Sequence, residues 1–505
     1  MELLNHIVLG AQVLFTPTNL FFCFIGVLMG TLVGVLPGLG PTAAIALLLP
    51  STFHIAPVTA IIMLAGIYYG AMYGGSTTSI LVNIPGEAAS VITCIDGYQM
   101  ARNGRAGPAL GIAAFGSFIA GTISVVGLML VAPPLAKFAL AFGPPEYFAL
   151  MLLGMVVLIY LAAGSMLKAM MMGVFGLLLS TIGMDTISGA QRLTFGVLEF
   201  SDGIGLIPAI MGLYGVAEVI SNLEEGITRT VVTTKVKDLL PTRQDWKDSA
   251  WPILRGSVLG FFIGILPGPA TVISAFSSYA IEKKLSKHPE RFGTGTIEGV
   301  AGPEAANNAA TGGAFIPLFT LGIPCNPVVA ILLGAFMIYG IQPGPMMIAK
   351  YPDIFWATVM SMYLGNVMLL ILNLPLIGLW VQILKVPYPI LFPIILLFCL
   401  IGVFSLNYSS VEVALMIGFG VFGYLARKFQ YESAPLVLAL VLGPMMENNL
   451  RLSLVISQGD PTIFVTHPIS AVLVAVTFVL LVSPFIPWIG RRREKLQEKV
   501  GGEQV

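Results

Sequence analysis

The sequence predicts an all-α polytopic membrane protein, and three observations support that prediction. Of the 505 residues, 56% are hydrophobic and 10% are charged, whereas an ordinary soluble domain carries about 25% charged residues. The apolar residues form long runs, and the same proline–glycine pattern interrupts two of them. These features exclude an ordinary soluble enzyme. The balance of 25 basic and 25 acidic residues argues against nucleic acid as a partner.

About twelve transmembrane helices are expected, because one crossing of a bilayer needs about 20 mostly apolar residues. In the first half the candidate segments are 19–50, 57–84, 109–133, 146–162, 166–183 and 204–222. In the second half they are 253–280, 308–339, 354–376, 388–406, 411–426, 433–446 and 468–488. The predicted organisation is a first transmembrane half over 1–222, a polar connector over 223–252, a second half over 253–488 and a tail over 489–505.

The segments outside the apolar runs predict how the chain is oriented. The N-terminus lacks the basic stretch of a signal peptide, so we expect a retained first helix, with 6–15 as a short interfacial helix. The connector and the tail are rich in basic residues, which favours a cytoplasmic location for both, although a solvated charge run explains them equally well. These residues are Arg229, Lys235, Lys237, Arg243 and Lys247 in the connector and Arg491, Arg492, Arg493 and Lys495 in the tail.

The two interruptions have nearly the same sequence. Residues 34–42 read Gly-Val-Leu-Pro-Gly-Leu-Gly-Pro-Thr, and residues 264–271 read Gly-Ile-Leu-Pro-Gly-Pro-Ala-Thr. Proline removes a backbone donor and glycine frees the backbone to turn. Unwound backbone is tolerated in a membrane only where protein buries it or where it lines a cavity. Broken apolar segments at corresponding positions of two halves indicate the binding site of a transporter.

The repeat extends beyond these breaks. Gly74 and Gly75 match Gly312 and Gly313, and the Ile-Pro pair at 84–85 matches the pair at 323–324. This order predicts an internal duplication. The loop after the first break, 51–56, has no Lys or Arg, whereas the loop after the second break, 282–291, has four. Beyond the Ile-Pro pairs the bias reverses, since the first half has Arg102 and Arg105 and the second has Lys350. Equivalent loops would then lie on opposite sides of the membrane, which predicts repeats of inverted topology.

The breaks predict a site for carboxylates. A helix that restarts inside the membrane presents unpaired N–H groups and the positive end of its dipole, which suits an anion. Hydroxyl and amide side chains near the breaks add donors, although small polar residues also serve close helix packing. Ser76 and Asn83 share one helical face, together with residue 79. The predicted substrate-binding residues are Gly38, Gly40, Thr42, Ser76, Asn83, Gly268, Thr271, Asn307, Asn308 and Thr311.

Two acidic residues lie near the ends of the motifs. Glu87 and Glu304 are candidates to bind Na⁺ or carry a proton, or alternatively to cap helix termini and face water. Carbonyl groups freed at Gly74, Gly75, Gly312 and Gly313 are candidate ligands of the same coupling ion. The four cysteines have no metal-ligand spacing, so no cofactor is expected beyond Na⁺. Glu146 is expected to begin a helix. Residues 447–451 are expected to form an interfacial helix end with a local ion pair between Glu447 and Arg451.

Three stretches together resemble one known family. They are residues 36–42, residues 74–87, and residues 303–308 with 321–324. In combination they are similar to the large membrane subunit of tripartite tricarboxylate transporters, the TctA type. The similarity covers essentially the whole chain, including residues 143–148 and 373–378.

The resemblance implies a multi-pass permease of the bacterial inner membrane. It would work with a small four-helix membrane subunit and a periplasmic solute-binding protein, and import citrate or another organic carboxylate by symport with Na⁺ or H⁺. The sequence lacks a Walker-type phosphate loop, as expected without an ATP-hydrolysing subunit. Cys325 and Asn326 replace the small pair expected after Ile-Pro, which favours an acid other than citrate.

Two other functions remain open from the sequence. The glutamates and asparagines are compatible with an intramembrane enzyme acting on a carboxylate, but no histidine lies in either motif to form a nucleophile–base pair. A membrane scaffold that transports nothing is the other alternative. Because neither has a motif of its own, we predict a transporter rather than an enzyme.

Overall fold

The computed structural model describes residues 2–36, 40–162, 165–185, 187–225, 239–384, 386 and 388–483. Helices of seven or more residues make up most of this described chain. In the first half they are α1 (Glu2–Leu14), α2 (Pro17–Val35), α3 (Gly40–Leu48), α4 (Pro57–Val82), α5 (Ala106–Ala139), α6 (Pro144–Leu161), α7 (Met166–Ser180) and α8 (Leu206–Glu224). In the second half they are α9 (Arg243–Gly264), α10 (Ala270–Leu285), α11 (Glu298–Gly313), α12 (Phe315–Leu321), α13 (Pro327–Ile338), α14 (Pro352–Asn373), α15 (Ile377–Ile383), α16 (Tyr388–Asn407), α17 (Ser410–Lys428), α18 (Ala434–Ile456) and α19 (Pro468–Val482).

Shorter elements connect these helices. Short helical turns lie at Leu49–Thr52, Ala88–Ser90, Val91–Thr93, Cys94–Tyr98, Ala101–Arg105, Leu198–Asp202, Pro289–Arg291, Met347–Lys350 and Ile463–Thr466. Two short strands, β1 (Gly183–Met184) and β2 (Gln191–Arg192), pair antiparallel between α7 and α8. The chain is therefore helical almost throughout its described part, as the sequence predicted.

Within the described part of the chain, seven helices are long and apolar enough to cross a membrane: α2, α4, α5, α6, α8, α14 and α17. Five further apolar helices are shorter, with 10–17 residues. The predicted span 308–339 is wrong, because α11, α12 and α13 divide this region. The chain turns at Gly322, whose positive φ of 68° ends α12, and Pro324 follows. The second half also begins earlier than predicted, since α9 starts at Arg243 inside the expected connector.

Both predicted breaks separate two helices. The helix α2 ends at Val35 and α3 begins at Gly40, with the Pro-Gly-Leu residues 37–39 outside the described part. The helix α9 ends at Gly264 and α10 begins at Ala270. Between these helices Gly268 has a φ of 136°, a conformation that a residue with a Cβ rarely adopts. The glycine of the second motif is therefore required by the turn.

Each helix before a break packs closely on the following glycine-rich helix. On α2, Gly26, Gly30 and Gly34 face carbonyl oxygens of α4, and a Cβ at Gly34 would lie 2.2 Å from the oxygen of Ala71. On α9, Gly256, Gly260 and Gly264 face carbonyl oxygens of α11, and a Cβ at Gly264 would lie 2.3 Å from the oxygen of Ala310. The spacing and the type of contact are the same in both halves. Small residues allow such approach between membrane helices.

The equivalence continues to the end of the glycine-rich helices, with one change of register. A Cβ at Gly74 would meet the oxygen of Thr31 at 2.4 Å, and a Cβ at Gly313 would meet that of Phe261 at 2.4 Å. Gly74 therefore corresponds to Gly313, rather than to Gly312 as the sequence suggested. Asn83 ends α4 in the left-handed conformation (φ 58°, ψ 30°), as Gly322 does after α12 (φ 68°, ψ 25°).

A buried carboxylate connects chain segments of the two halves. The carboxylate of Asp96 is fully buried and accepts hydrogen bonds from the N–H groups of Gly293, Gly295 and Thr296 and from the Tyr279 hydroxyl, at 2.8–3.1 Å. A chain segment of the first half is thereby bound to the loop between α10 and α11. Such a satisfied carboxylate stabilises the fold, and its burial costs little once its bonds are made.

The prediction that Glu146 begins a helix is confirmed, and so is the local ion pair of Glu447. The predicted helix end at Glu447 is wrong, because α18 continues to Ile456. Glu146 lies in the first turn of α6, where its carboxylate accepts the Gly143 N–H at 2.9 Å. Glu447 pairs with Arg451 at 2.6 Å on α18, and Arg451 also pairs with Asp185 beside β1 at 2.8 Å. The Ile187 N–H and Arg451 hold the pKa of Asp185 well below its usual range.

Candidate functional site

Both breaks meet at one cavity of about 380 Å³. The start of α3 and the start of α10 form part of its wall, and the segments that follow the two Ile-Pro pairs form another part. The helices α4, α8 and α17 complete the lining. The lining residues include Gly40, Pro41, Thr42, Tyr68, Met72, Pro85, Gly86, Glu87, Tyr214, Glu218, Gly268, Pro269, Ala270, Thr271, Asn326 and Arg427.

Glu87 and Asn326 occupy matching places in this lining. Each lies three residues after the isoleucine of its Ile-Pro pair, and their backbones agree closely (φ −148°, ψ 166° and φ −149°, ψ 168°). Each side chain accepts a hydrogen bond from the first turn of the following helix, Glu87 from Ala89 N–H and Asn326 from Val329 N–H. The same local structure thus presents a carboxylate from one half and an amide from the other.

Two hydrogen bonds cross between the halves behind these residues. The Asn307 amide on α11 donates to Glu87 Oε1 at 3.3 Å, and the Asn326 amide donates to the Tyr68 hydroxyl on α4 at 3.1 Å. Asn307 precedes Asn326 by the same 19 positions by which Tyr68 precedes Glu87. Asn307 therefore corresponds to Tyr68, and Asn326 to Glu87. Each of the two hydrogen bonds joins the same pair of positions, with the two halves exchanged.

A second carboxylate lies deeper in the protein. Glu304 on α11 is 1% exposed, and it accepts hydrogen bonds from the Ser76 hydroxyl at 2.5 Å and from the Thr93 hydroxyl. Ser76 belongs to α4, so this cluster also joins the two halves. Asn308 donates to Ser117 on α5 at 2.7 Å and to the Glu304 carbonyl at 3.0 Å.

The structure brings some of the sequence-predicted residues to the cavity and places the others elsewhere. Gly40, Thr42, Glu87, Gly268 and Thr271 line the cavity. Asn307 contacts Glu87 behind the wall, and Thr311 donates to the Asn307 carbonyl at 3.1 Å. The residues Ser76, Asn308 and Glu304 belong to the deeper cluster.

The remaining predicted residues lie in other surroundings. Asn83 is exposed at the end of α4 and does not share a buried face with Ser76. Gly38 is outside the described residues. Gly74 and Gly313 contact backbone of a neighbouring helix, whereas Gly75 faces the Glu87 side chain and Gly312 the Ser124 side chain on α5.

Among the described residues, sequence reasoning missed four polar residues of the cavity: Tyr68, Tyr214, Glu218 and Arg427. Glu218 lies inside the predicted span 204–222, and an acidic residue within a membrane segment is a functional candidate by default. That signal was present in the sequence. Arg427 is at the end of an apolar helix, where a basic residue is also expected to interact with the helix dipole. Only the fold shows that it reaches the same cavity as the breaks.

Comparison with known proteins agrees with this architecture. The family model described as "Tripartite tricarboxylate transporter TctA family" matches residues 20–438. The chain belongs to this family. Within the TctA family it is 52% identical over 496 residues to an "Uncharacterized 52.8 kDa protein in TAR-I ttuC' 3'region" of Agrobacterium vitis, covering 98% of this chain and 99% of that protein.

A second relative covers less of the chain. An "Uncharacterized protein in TAR-II ttuC' 3'region" of Agrobacterium vitis is 49% identical over 237 residues, which is 47% of this chain and 98% of that protein. No solved structure matches the chain. Family membership and the apolar helices together identify a multi-pass membrane protein, the large subunit of a tripartite tricarboxylate transporter. Among the described residues, no group of three His, Cys, Asp or Glu side chains is placed to hold a metal ion.

Proposed function

We propose that this TctA-family chain imports an organic carboxylate through the cavity between its two broken helices. It acts as a secondary transporter of the bacterial inner membrane, and not as an enzyme. A small four-helix membrane subunit and a periplasmic binding protein complete the transporter. The observation that carries the proposal is the meeting of both Pro-Gly breaks at one cavity, since transporters bind substrate where broken helices of two halves meet.

The polar groups of the wall suit carboxylate oxygens. The starts of α3 and α10 supply backbone N–H groups, and the Thr42 and Thr271 hydroxyls lie beside them. From the second half, the Asn326 amide also lines the cavity and donates to the Tyr68 hydroxyl there. Hydrogen bonds to a charged carboxylate are roughly twice as strong as those between neutral groups. This part of the wall can therefore bind an anion through hydrogen bonds from neutral groups.

We propose that the coupling ion binds at Glu87. Its carboxylate lines the cavity and contacts the Asn307 amide. The Oδ1 atom of Asn307 is buried and has no hydrogen-bond partner in the described part of the chain. An unpaired buried oxygen beside a carboxylate suits Na⁺, because hard cations take oxygen ligands. Glu304, held by Ser76 and Thr93, is a second group that could carry a proton.

We further propose that the halves are repeats of inverted topology. The hydrogen bonds Asn307–Glu87 and Asn326–Tyr68 support a two-fold relation between the halves. Exchanging the two halves converts the residue positions of one bond into those of the other. An axis in the membrane plane would place the two loops after α3 and α10 on opposite sides. The basic residues at 283, 284, 287 and 291 would make the second loop cytoplasmic. The tail, which lies outside the described residues, is predicted to be cytoplasmic for the same reason.

Transport is tested by reconstituting the chain with the two other subunits in liposomes. Uptake of radiolabelled citrate, malate, tartrate and succinate is measured under an imposed Na⁺ gradient, an imposed pH gradient or neither. We expect at least one acid to accumulate, and the accumulation to collapse when an ionophore removes the driving gradient. Failure of all four acids to accumulate contradicts the proposal. Chemical conversion of an acid without accumulation would indicate an enzyme.

The inverted topology is tested by cysteine labelling. His54 and Lys287 are exposed in the two equivalent loops, so each is replaced by cysteine in a variant whose four native cysteines are alanine. A membrane-impermeant maleimide should label the two positions from opposite sides of the membrane. Labelling of both from the same side contradicts the inversion and leaves the transport proposal standing.

A further inference from the structure

The cavity contains an ion pair that belongs to neither broken-helix unit. Arg427 lies near the end of α17 and Glu218 lies on α8, and the Arg427 Nη1 atom contacts Glu218 Oε2. Both side chains line the cavity with Thr42, Thr271 and Asn326. Among the described residues of the lining, Arg427 is the one basic side chain.

The pair is built on two closely packed helices. A Cβ at Gly212 on α8 would lie 2.4 Å from the Met416 oxygen on α17, and a Cβ at Gly423 on α17 would lie 3.1 Å from the Leu213 oxygen. These approaches set the position of Arg427 toward the cavity. Glu218 is held separately on its own helix, because its Oε1 accepts the Asn222 amide at 3.2 Å. Glu218 therefore keeps a partner when it leaves the guanidinium.

The exposure of the pair suits exchange with a ligand. The Arg427 side chain is 33% exposed and that of Glu218 is 19% exposed, so part of each side chain remains accessible in the cavity that both line. By contrast, the partner of Arg255, Glu282, is only 3% exposed. A guanidinium carries five N–H donors in a planar fork that matches a carboxylate. One nitrogen contacts Glu218, which leaves donors for a second carboxylate.

We propose that Arg427 binds a carboxylate group of the transported acid, and that Glu218 is the internal carboxylate that the substrate displaces. The inference rests on the proposed transport function and extends it to the substrate class. One substrate carboxylate meets the N–H groups and threonines of the breaks, and a second meets Arg427. The site therefore selects acids with at least two carboxylate groups over monocarboxylates. Glu218 neutralises Arg427 when the cavity is empty.

The test compares variants on the two sides of the pair in the reconstituted transporter. With the acid among citrate, malate, tartrate and succinate that the wild type accumulates, Arg427→Gln should raise KM at least about tenfold. Glu218→Gln should lower KM, because it removes the carboxylate that competes with the substrate for Arg427. Arg427→Lys keeps the charge opposite Glu218 but loses the fork, and should still raise KM severalfold. In the wild type, butyrate should compete with succinate only at about a hundredfold excess. This discrimination between succinate and butyrate should shrink in Arg427→Gln.

A neighbouring ion pair supplies the matched control. Lys428 and Glu224 join the same two helices at 2.7 Å, with side chains 50% and 53% exposed, and neither lines the cavity. Lys428→Gln and Glu224→Gln should therefore leave KM within about twofold, as exposed pairs contribute little.

Three results would overturn the inference. The first is equal loss of uptake in Arg427→Gln and Glu218→Gln, which indicates a structural pair. The second is an unchanged KM in Arg427→Lys. The third is unchanged discrimination between succinate and butyrate in Arg427→Gln. If Arg427→Gln does not reach the membrane, Arg427→Lys and Glu218→Gln are compared instead. Equal loss of uptake in these two variants, or an unchanged KM in Arg427→Lys, would then overturn the inference. Absence of wild-type uptake instead contradicts the proposed function itself.

Discussion

Around the breaks, the two halves of the chain share a set of backbone features and place different chemistry on them. In both, glycines bring a helix onto its glycine-rich neighbour, a left-handed residue ends a helix, and an Ile-Pro pair leads to a capping side chain. At that final position the first half has Glu87 and the second has Asn326. Packing constrains the backbone equally in both halves, whereas the side chains that reach the cavity are free to differ.

The two halves also differ in where their buried carboxylates lie, with Glu87 in the first half and Glu304 in the second. Glu304 is unmatched as well, because the same register places Ala65 at its position in the first half. A site with both a carboxylate and an amide at equivalent places can bind a cation on one side and an anion on the other. The comparison of halves therefore indicates where coupling ion and substrate meet.

The largest effect is expected from placing an amide at both equivalent positions, 87 and 326. Glu87→Gln should lower gradient-driven uptake at least about thirtyfold, since it removes the charged partner of the coupling ion. Initial uptake rates in liposomes measure this effect. Glu290→Gln, in an exposed loop, is the control and should keep wild-type rates. Wild-type uptake in Glu87→Gln would show that coupling lies elsewhere.

The next effect tests whether the two helix pairs are equivalent. Gly34→Ala and Gly264→Ala should each destabilise the protein by about 1–3 kcal/mol, because the new Cβ meets a carbonyl oxygen and the helices must separate. Thermal unfolding in detergent measures the loss. Gly418→Ala on α17 is the control, since nothing lies within 4 Å of its Cβ position. A large loss in one half alone would break the equivalence.

A smaller effect compares the two break threonines. Thr42→Val and Thr271→Val should each raise KM for the transported acid by about threefold to tenfold, the value of one or two hydrogen bonds of about 1 kcal/mol or less. Thr122→Val removes a hydroxyl on α5 that donates to the Phe118 carbonyl and does not line the cavity. It should leave KM unchanged. If Thr122→Val raised KM as much as the other two substitutions, all three effects would be attributed to packing rather than to substrate binding.

The smallest effect concerns the left-handed helix ends. Asn83→Gly should be neutral within about 0.5 kcal/mol, because glycine adopts that backbone readily. Gly322→Ala should cost more, since its Cβ would lie 2.5 Å from the Pro343 oxygen and would strain the positive φ. Unfolding midpoints of the two variants give the comparison. If Asn83→Gly impairs uptake without loss of stability, the Asn83 amide has a role beyond ending the helix.

Much of the fold followed from local chemistry. Proline and glycine act on their own backbone, so the break at Gly268 could be found from the sequence. The turn at Gly322 divides a segment that hydropathy alone predicts as one span, 308–339. The register error between Gly74 and Gly313 arose because adjacent glycines look alike, and only contact with the facing helix separates them. Asn83 was placed on a ligand-binding face because helical periodicity does not show where a helix ends.

The sequence by itself determined the membrane class, the family and the pairing of the two breaks, since hydropathy and helix-breaking residues act over a few neighbouring positions. The tertiary structure decided which polar groups share the cavity. It brought Glu87 to Asn307 across 220 positions and Glu218 to Arg427 across 209. No pattern in one segment records such contacts, because they depend on how separate helices pack.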